Sequence, residues 1–322
     1  MGTIVRETFG EPFSARKAYG QALVEMGEHF PNMVVLSADV SNSDHSFMFE
    51  AVYPERFFNV GIAEQALVDV AVGMAHSGKL PVANTFAFLF ATRALEQVRT
   101  HCAYGEANVK LAGAYGGLSD SFDGPTHQSE SDLAILRSLP NLAVVVPSDP
   151  VSIRKLLKKT LEWPGPVYFR LCRNEVIPVF HENNYDPEIG KGIVLMDGKD
   201  ATIVCCGVLV ARCIEAARQL ARDGIFVRVV EMHTLKPVDE ELTVRCARET
   251  GALVTVEEHT VIGGLGGAVA EVLAARHPVP LERVGVADRF AETGPYDALL
   301  DRYGMSRADI TSAVRRALER KK

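Results

Sequence analysis

Residues 57–85 read FFNVGIAEQALVDVAVGMAHSGKLPVANT, and this stretch contains one complete strand–helix–strand unit. Residues 57–60 and 81–85 are short apolar runs that predict strands, while residues 63–77 repeat apolar side chains at helical spacing. Gly61 stands where the first strand gives way to the helix, and glycine allows the sharp backbone turn that such a junction needs. Two strands joined by a covering helix predict a parallel sheet with helices on its faces.

The same alternation runs through the rest of the first half of the chain. Further strands are predicted at residues 33–37, 109–112, 143–146 and 167–170, and further helices at residues 15–30, 91–104, 131–138 and 150–162. Asp149 followed by Pro150 predicts a capped helix start, because proline is favoured at the first helical position.

The second half repeats the pattern after an interruption. Residues 174–199 are dominated by Pro, Asn, Asp, His and Gly, which predicts a linker. Strands are then predicted at residues 202–206, 227–231, 253–257 and 283–286, and helices at residues 210–222, 239–250, 265–275 and 307–320. The sequence therefore predicts two α/β domains with parallel sheets, residues 1–188 and a smaller domain over residues 189–322.

The composition excludes several classes of protein. Of 322 residues, 47% are hydrophobic and 23% are charged, which is typical of a soluble globular protein. The net charge of −7, with no basic tract, gives no electrostatic footprint for sequence-blind nucleic-acid binding. No apolar run approaches the roughly 18 residues of a membrane span, and the amino terminus lacks the apolar core of a signal peptide. The six cysteines form no C-x-x-C pair, which predicts buried thiols in a reducing cytoplasm.

Glu64 is the first candidate for a chemical role. It lies in the first turn of the predicted helix, near the positive end of the helix dipole. The carboxyl ends of parallel strands are also where open α/β sheets bind ligands. A plain first-turn glutamate explains the spacing equally well, so both interpretations remain open.

Two further candidates combine charged side chains with turns. The loop DSFDGPTHQ at residues 120–128 holds Asp123 and His127, and a neutral histidine can donate to a substrate oxygen or move a proton. A surface His–Asp pair is its alternative. The run RLCRN at residues 170–174, together with Arg16, offers planar guanidinium groups suited to phosphate or carboxylate. An ion pair between the domains is the alternative there.

Two more motifs favour structural roles. Phe86, Phe88 and Phe90 occupy alternate positions, which is typical of a buried strand, although a flat slot for a heteroaromatic ring is also consistent with them. The run GGLGG at residues 263–267 does not fit the G-x-G-x-x-G template of dinucleotide-binding loops, so tight helix packing is the better interpretation.

Together these residues resemble the transketolase family of thiamine-diphosphate enzymes. The runs at residues 37–39, 61–65, 123–128 and 173–174 occur in the family's order. The similarity covers nearly the whole chain and corresponds to the carboxyl-terminal half of a full-length transketolase, most closely the second subunit of split transketolases. The resemblance implies transfer of a two-carbon ketol unit between a ketose phosphate and an aldose.

The resemblance also implies roles around the cofactor. Glu64 matches the glutamate that bonds the N1′ nitrogen of the aminopyrimidine and so promotes loss of the thiazolium proton. Phe86 matches one wall of the pyrimidine slot, while the family's spacing puts Leu89 at the second wall and leaves Phe88 or Phe90 as the other options. The implied catalytic residues are Glu64 and His127. The implied cofactor-binding residues are Glu64, Phe86, Leu89, Phe90, Asp39 and Ile62, with Asp39 at the subunit contact.

On the substrate side, His127 and Asp123 match groups that meet the hydroxyls and the carbonyl oxygen of the sugar. The positions that match the site of the terminal phosphate are Arg16, Ser43 and Arg173. Tyr115 stands where many full-length transketolases have a substrate-binding histidine, and residues 119–122 also differ from the family's loop. The identity of the acceptor sugar is therefore open.

One family motif is missing from the chain. Transketolases hold the cofactor's diphosphate and Mg²⁺ with Gly-Asp-Gly followed by an asparagine, and this sequence contains no Gly-Asp-Gly. Mg²⁺ needs an octahedron of oxygen ligands, which the sequence does not assemble, and no metal ligand is assigned in this chain. The resemblance thus implies that thiamine diphosphate and Mg²⁺ are held mainly by a partner subunit that carries Gly-Asp-Gly, in a heterotetramer.

Two rival functions remain. The beta subunit of a 2-oxo acid dehydrogenase has a similar length and build, but residues 123–128 and Arg173 favour a sugar phosphate over an oxo acid. Deoxyxylulose-phosphate synthase shares the run at residues 63–65 but carries its own diphosphate site in one long chain. A non-catalytic module of the same fold is the rival of a different class, and the presence of Glu64 and His127 argues against it.

Overall fold

The computed structural model describes residues 3–321. Its strands are β1 (Phe13–Ser14), β2 (Met33–Ser37), β3 (Phe57–Asn59), β4 (Leu80–Phe86), β5 (Lys110–Ala114), β6 (Ala143–Val145), β7 (Val167–Arg170), β8 (Glu175–Val176), β9 (Ile193–Met196), β10 (Ala201–Cys205), β11 (Val227–Glu231), β12 (Thr234–Lys236), β13 (Leu253–Thr260) and β14 (Leu281–Val286). Its α-helices are α1 (Ala15–His29), α2 (Ser41–Asp44), α3 (Phe47–Val52), α4 (Glu64–His76), α5 (Ala87–Ala91), α6 (Leu95–Gln97), α7 (Asp132–Arg137), α8 (Pro150–Glu162), α9 (Leu209–Arg222), α10 (Glu240–Thr250), α11 (Leu265–Arg276), α12 (Tyr296–Arg302) and α13 (Arg307–Glu319).

The first sheet has seven strands in the order β12-β6-β7-β5-β4-β2-β3. All neighbours from β6 to β3 run parallel, so their carboxyl ends meet at one edge. All five residues of β2 are buried, as expected for a parallel strand covered by helices on both faces. Asp149 caps α8 by accepting a hydrogen bond from Ser152 N at 2.8 Å, with Pro150 in the first turn, as the sequence predicts.

The second sheet has five strands in the order β14-β13-β10-β11-β9, parallel except for β9. The two halves of the chain share the first sheet, because β12, which belongs to the second half, pairs antiparallel with β6 of the first half. One hydrophobic cluster also joins them, with Val144 and Tyr168 from the first half beside Val204 and Val230 from the second. The predicted fold class is confirmed. The boundary at residues 188 and 189 stays a prediction.

Several local predictions were wrong. The alternating phenylalanines do not continue a strand, because β4 ends at Phe86 and Ala87–Ala91 form α5. A short run in which every residue is apolar fits both the strand and the helix period, so spacing could not decide between them. The single helix predicted over residues 91–104 is broken into the end of α5, α6 and a π-helical segment at Val98–Tyr104.

The predicted linker is not wholly irregular. It contains β8, which pairs with β1, and β9, which forms the antiparallel edge of the second sheet. Both strands are four residues or shorter, and the prolines, asparagines and glycines around them obscured their apolar pattern. The sequence patterns also did not predict β12, which has three residues, or α12, which has seven.

All six cysteines are free thiols, and all but Cys172 are buried. No helix in residues 3–321 is long and apolar enough to cross a membrane. The cytoplasmic location stays a prediction.

Candidate active site

Five parallel strands of the first sheet carry the predicted site residues to one edge. Asp39 follows β2, Gly61 and Glu64 follow β3, Phe86 ends β4, Tyr115 follows β5 and Arg173 follows β7. The chain passes from β3 on one side of β2 to β4 on its other side. The crevice at such a reversal is where open α/β sheets bind ligands.

Glu64 is the first residue of α4, and its side chain is buried. Gly61 makes the turn into the helix with φ of +76°, a conformation that side-chain-bearing residues rarely adopt. Glu64 Oε2 accepts a hydrogen bond of 2.9 Å from Arg93 Nη1, although the Arg93 side chain remains 52% exposed. Arg93 was not among the predicted site residues, and its one signal in the sequence is that it is the first charged residue after the apolar run of α5.

Asp39 is tied to the same turn by two hydrogen bonds. Asn59 Nδ2 donates to Asp39 Oδ1 at 2.9 Å, and the backbone N–H of Gly61 donates to Asn59 Oδ1 at 2.9 Å. The Asp39 side chain is exposed, and Ile62 nearby is 76% exposed. These residues form an open corner of the site beside the buried carboxyl of Glu64.

Phe86 lies at the centre of an aromatic cluster. Its ring centroid is 4.6 Å from that of Tyr115 and 6.3 Å from that of His127. Phe88 also meets His127, at 5.5 Å. His127 is half-buried, and its Nδ1 lies 2.9 Å from Thr126 Oγ1. The rings are inclined to one another at 43° to 68°, so together they form an aromatic wall at the end of β4 in which each ring offers its own flat face, consistent with the slot that the sequence left open.

Leu89 and Phe90 lie deeper than this wall. Phe90 is fully buried and meets Tyr168 edge to face at a centroid distance of 6.4 Å. Leu89 is 6% exposed. The structure therefore places the Phe90 ring in the core of the first domain and does not bring it to the surface of the aromatic cluster.

Tyr115 connects this cluster to two arginines. Arg16 Nη1 donates to the Tyr115 hydroxyl at 3.3 Å and to the backbone carbonyl of Ser43 at 3.0 Å. The guanidinium carbon of Arg16 is 6.0 Å from the Tyr115 ring centroid, and that of Arg173 is 5.1 Å from it. Two guanidinium groups beside one ring make this part of the crevice suited to binding an anionic group.

The two arginines of the predicted RLCRN run have different surroundings. Arg170 is buried, bonds Asp132 at 2.8 Å and donates to the backbone carbonyl of Glu258 in the second domain. Burial alone would raise the pKa of Asp132, but the nearby charges, that of Arg170 foremost, together with the hydrogen bonds from Arg170 and Tyr168 hold that pKa below its usual value. Arg170 is thus the structural ion pair at the domain interface, whereas the Arg173 side chain is 28% exposed beside Tyr115.

Arg173 also contacts the loop of residues 120–128. Its Nη1 donates to Asp120 Oδ1 at 3.1 Å, and Asp120 is fully buried. Burial and the neighbouring carboxyl of Asp123 raise the pKa of Asp120 to about 7, against the lowering influence of Arg173. Asp123 itself is exposed, so its carboxyl is open to a ligand.

The backbone is strained at this edge. Of the five non-glycine residues with positive φ in residues 3–321, three lie here: Asp39 at +63°, His45 at +66° and Tyr115 at +64°. Such conformations cost about 1–3 kcal/mol each and persist only where the surrounding structure imposes them. Their concentration at one sheet edge independently indicates a functional region.

The glycine-rich run of the second domain has no open site. The Glu257 carboxylate accepts hydrogen bonds from Leu265 N at 2.6 Å and Gly266 N at 2.7 Å, so it occupies the amino end of α11. A Cβ at Gly264 would collide with Glu257 Oε2, and one at Gly266 would lie 2.9 Å from Arg283 Cδ, so the run serves close packing, as the sequence predicts. Across the described residues, no group of three or more His, Cys, Asp or Glu side chains is arranged to hold a metal ion.

Comparison with protein families divides the chain into two parts. Residues 11–178 match the model described as "Transketolase, pyrimidine binding domain". Residues 190–310 match the model described as "Transketolase, C-terminal domain".

Individual proteins of similar length also match. The chain is 38% identical to the 6-deoxy-6-sulfo-D-fructose transketolase subunit SqwH of Clostridium sp., over 95% of both chains. It is 36% identical to one of the subunits of the apulose-4-phosphate transketolase of Phocaeicola vulgatus, over 92% of this chain and 95% of that one. A solved split-gene transketolase, described as an inactive β4 tetramer, superimposes with a TM-score of 0.90 at 48% identity, over 96% of this chain and all of the other.

Proposed function

The chain belongs to the transketolase family, and from that membership we propose that it is the second subunit of a split, thiamine-diphosphate-dependent transketolase. The observation that carries the proposal is the single sheet edge at which β3 ends beside Glu64, β4 ends at Phe86 and β7 ends beside Arg173. The proposed reaction moves a two-carbon ketol unit from a ketose to an aldose.

The residues present fit the pyrimidine half of thiamine diphosphate. An aminopyrimidine ring needs one carboxyl group for its ring nitrogen and a flat apolar surface for its face. Glu64 supplies a buried carboxyl, Phe86 supplies an aromatic ring, and Leu89, three residues after Phe86, is buried. When bound, the cofactor supplies the carbon nucleophile that ketol transfer requires. Glu64 would hold and exchange the proton at the ring nitrogen, while Asp39 and Ile62 line the open corner.

The diphosphate and Mg²⁺ belong, in this proposal, to a partner chain that carries Gly-Asp-Gly. The family places that motif in the amino-terminal half of full-length transketolases, and this sequence lacks it. Both curated relatives are named as subunits, and the split-gene neighbour is described as an inactive β4 tetramer. These names support a chain that works only with a partner.

Self-association is proposed as well, with two copies of each chain in a heterotetramer. The outward face of α4 begins beside the exposed Ile62 and continues through Val70, which is 39% exposed. An apolar stripe on an outward helix face is typical of a surface that packs against another chain.

The sugar would extend from the aromatic wall towards the two arginines. His127 and Asp123 could meet hydroxyl and carbonyl oxygens, because one ring nitrogen of His127 remains beyond its contact with Thr126 and Asp123 is exposed. Arg16 and Arg173, on either side of Tyr115, would hold the terminal anion. Of the two relatives, one is named for a sulfonated sugar and the other for a phosphorylated sugar.

The proposal is tested by reconstitution. The chain is mixed with a candidate partner carrying Gly-Asp-Gly, thiamine diphosphate and Mg²⁺, and supplied in separate assays with a ketose phosphate plus an aldose and with pyruvate plus lipoamide. Ketol transfer in the mixture supports the proposal. Acyl transfer to lipoamide would identify the dehydrogenase beta subunit instead, and no turnover of either substrate by an assembled complex would favour a non-catalytic role.

A further inference from the structure

We infer that Asp120 is a specificity-determining residue that discriminates between singly and doubly charged terminal groups of the substrate. The inference rests on the proposed function, because it takes Arg16 and Arg173 as the groups that hold the terminal anion. Neither the family resemblance nor the candidate residues from the sequence assigned a role to Asp120.

Asp120 lies directly behind Arg173, one of the two arginines proposed to hold the terminal anion. Its Oδ1 atom accepts from Arg173 Nη1 at 3.1 Å, and it is fully buried while Arg173 is 28% exposed. Ser119 Oγ accepts from the backbone N–H of Arg173 at 3.1 Å, so both ends of this arginine are fixed to the same loop. Asp120 therefore neutralises Arg173 from the buried side, while the guanidinium lies beside the Tyr115 ring and remains partly exposed.

The second oxygen of Asp120 makes the residue more than a simple ion-pair partner. Asp120 Oδ2 is buried and has no hydrogen-bond donor, and the carboxyl of Asp123 lies next to it. Burial and that neighbouring carboxyl raise the pKa of Asp120 to about 7, so Asp120 gains or loses its negative charge close to neutral pH. Asp120 thus links the group proposed to meet the sugar hydroxyls to the group proposed to meet the terminal anion.

The remaining charges at this end are few. Arg16 donates to two neutral oxygens, those of Ser43 and Tyr115. Asp44 is buried near Arg16, and burial raises the pKa of Asp44 to about 7 as well. Glu258 accepts from Leu118 N behind the loop, and burial raises its pKa also to about 7. With Asp120 ionised, one of the two guanidinium charges is cancelled, which suits a monoanion such as a sulfonate better than a dianion such as a phosphate.

The test uses two tetrahedral ions of different charge and the chain alone, which contains all of these residues. Binding of sulfate and of methanesulfonate is measured by calorimetry at pH 8, with the wild-type chain and with Asp120→Asn. The electrostatic gain is proportional to the ligand charge, so the affinity factor for a dianion is the square of that for a monoanion. We expect Asp120→Asn to tighten methanesulfonate binding about threefold and sulfate binding about tenfold.

Matched variants separate this effect from others. Asp223→Asn removes the same charge from an exposed ion pair with Arg315 in the second domain and should change neither affinity. Arg173→Ala should weaken both ions. If Asp120→Asn does not fold by circular dichroism, Asp120→Ser carries the same expectation with a smaller side chain. An equal gain for both ions, no gain, or weaker sulfate binding would overturn the inference.

A second arm keeps this result distinct from the proposed function. In the reconstituted complex, Asp120→Asn should raise the ratio of kcat/KM for a phosphorylated ketose over a sulfonated ketose about threefold. If the complex shows no ketol transfer while the ion affinities change as expected, the proposed function fails and the charge discrimination by Asp120 stands. If transfer occurs but neither the ion affinities nor the ratio changes, the inference about Asp120 fails alone.

Discussion

Two strand-to-helix junctions of this protein share their parts and differ in what those parts contact. At the β3–α4 junction, Gly61 turns the chain and the carboxyl of Glu64 is held by one half-exposed arginine. At the β13–α11 junction, Gly263 turns the chain with a similar positive φ, but the carboxylate of Glu257 accepts two backbone N–H groups at the start of the helix. At the first junction the Glu64 carboxyl pairs with a side chain that a ligand could displace. At the second, the Glu257 carboxylate is held by backbone N–H groups of the fold itself.

The difference shows that a motif alone does not define a site. A glycine turn and a glutamate carboxyl at a helix start are present in both places. Only the first opens onto the sheet edge that carries the aromatic wall, two half-buried arginines and three strained backbone positions. A carboxylate that accepts the free N–H groups at the start of a helix, as Glu257 of β13 does for α11, stabilises the fold. A buried carboxyl whose partner reaches in from solvent remains available for chemistry.

The largest expected effect is on turnover, which should depend on Glu64 and not on Glu257. Glu64→Gln keeps the shape of the side chain but cannot exchange a proton with the cofactor's ring nitrogen, so turnover of the reconstituted complex should fall by about 10²–10⁴. Assembly of the complex, measured by its size in solution, should be unchanged. Near wild-type turnover of Glu64→Gln would reduce Glu64 to an ordinary first-turn glutamate.

The second prediction concerns the charged end of the same edge. Arg173→Ala should raise the KM for a phosphorylated sugar about ten- to a hundredfold, because a charge-assisted contact to phosphate is typically worth about 1.5–3 kcal/mol. The matched control is Arg283→Ala at the other junction, where Arg283 donates only to the backbone carbonyl of Val261. An equal rise in KM for phosphorylated and unphosphorylated sugars would argue against direct contact of Arg173 with the phosphate.

The third prediction is that Glu257, at the second junction, affects stability and not turnover. Glu257→Gln puts an NH₂ group against a backbone N–H that now has an acceptor, so the free energy of unfolding should fall by about 1–3 kcal/mol in denaturant titrations. Turnover per folded complex should stay at the wild-type value. A loss of turnover without a loss of stability would show that the second junction takes part in catalysis.

The smallest effect compares the two turning glycines. Gly61→Ala should destabilise the isolated chain by about 1 kcal/mol, because φ is +76° but no atom lies within 4 Å of the added Cβ. Gly263→Ala should cost more, since its φ is +77° and its Cβ would also lie 2.8 Å from Ala134 Cβ. Equal losses of unfolding free energy in the two variants would mean that the second junction is as loosely packed as the first.

The sequence predicted those features that depend on periodicity and on local turns. The strand and helix alternation, the glycine turn before Glu64 and the packing role of the GGLGG run follow from patterns within about fifteen residues. Arg93, Asp120 and β12 could not be predicted in this way. Each acquires its partner from a distant part of the chain, Glu64 for Arg93, Arg173 for Asp120 and β6 for β12, and pattern analysis does not report such contacts.

The phenylalanines after β4 show the same limit. Phe86 and Phe90 occupy equivalent alternate positions in the sequence, yet the end of β4 falls between them. As a result Phe86 faces Tyr115 at the sheet edge, while Phe90 packs on Tyr168 in the core. Where a strand gives way to a helix within a uniformly apolar run depends on the packing around it.

In the proposed function, this chain supplies the pyrimidine half of a cofactor site whose diphosphate half lies on another chain. The most direct measurement is calorimetric titration of thiamine diphosphate, with Mg²⁺ present, into this chain alone, into the partner alone and into their mixture. We expect saturable binding of one cofactor per pair of chains in the mixture, and no comparable binding by this chain alone. Stoichiometric binding of thiamine diphosphate by this chain alone, with the affinity of the mixture, would contradict it.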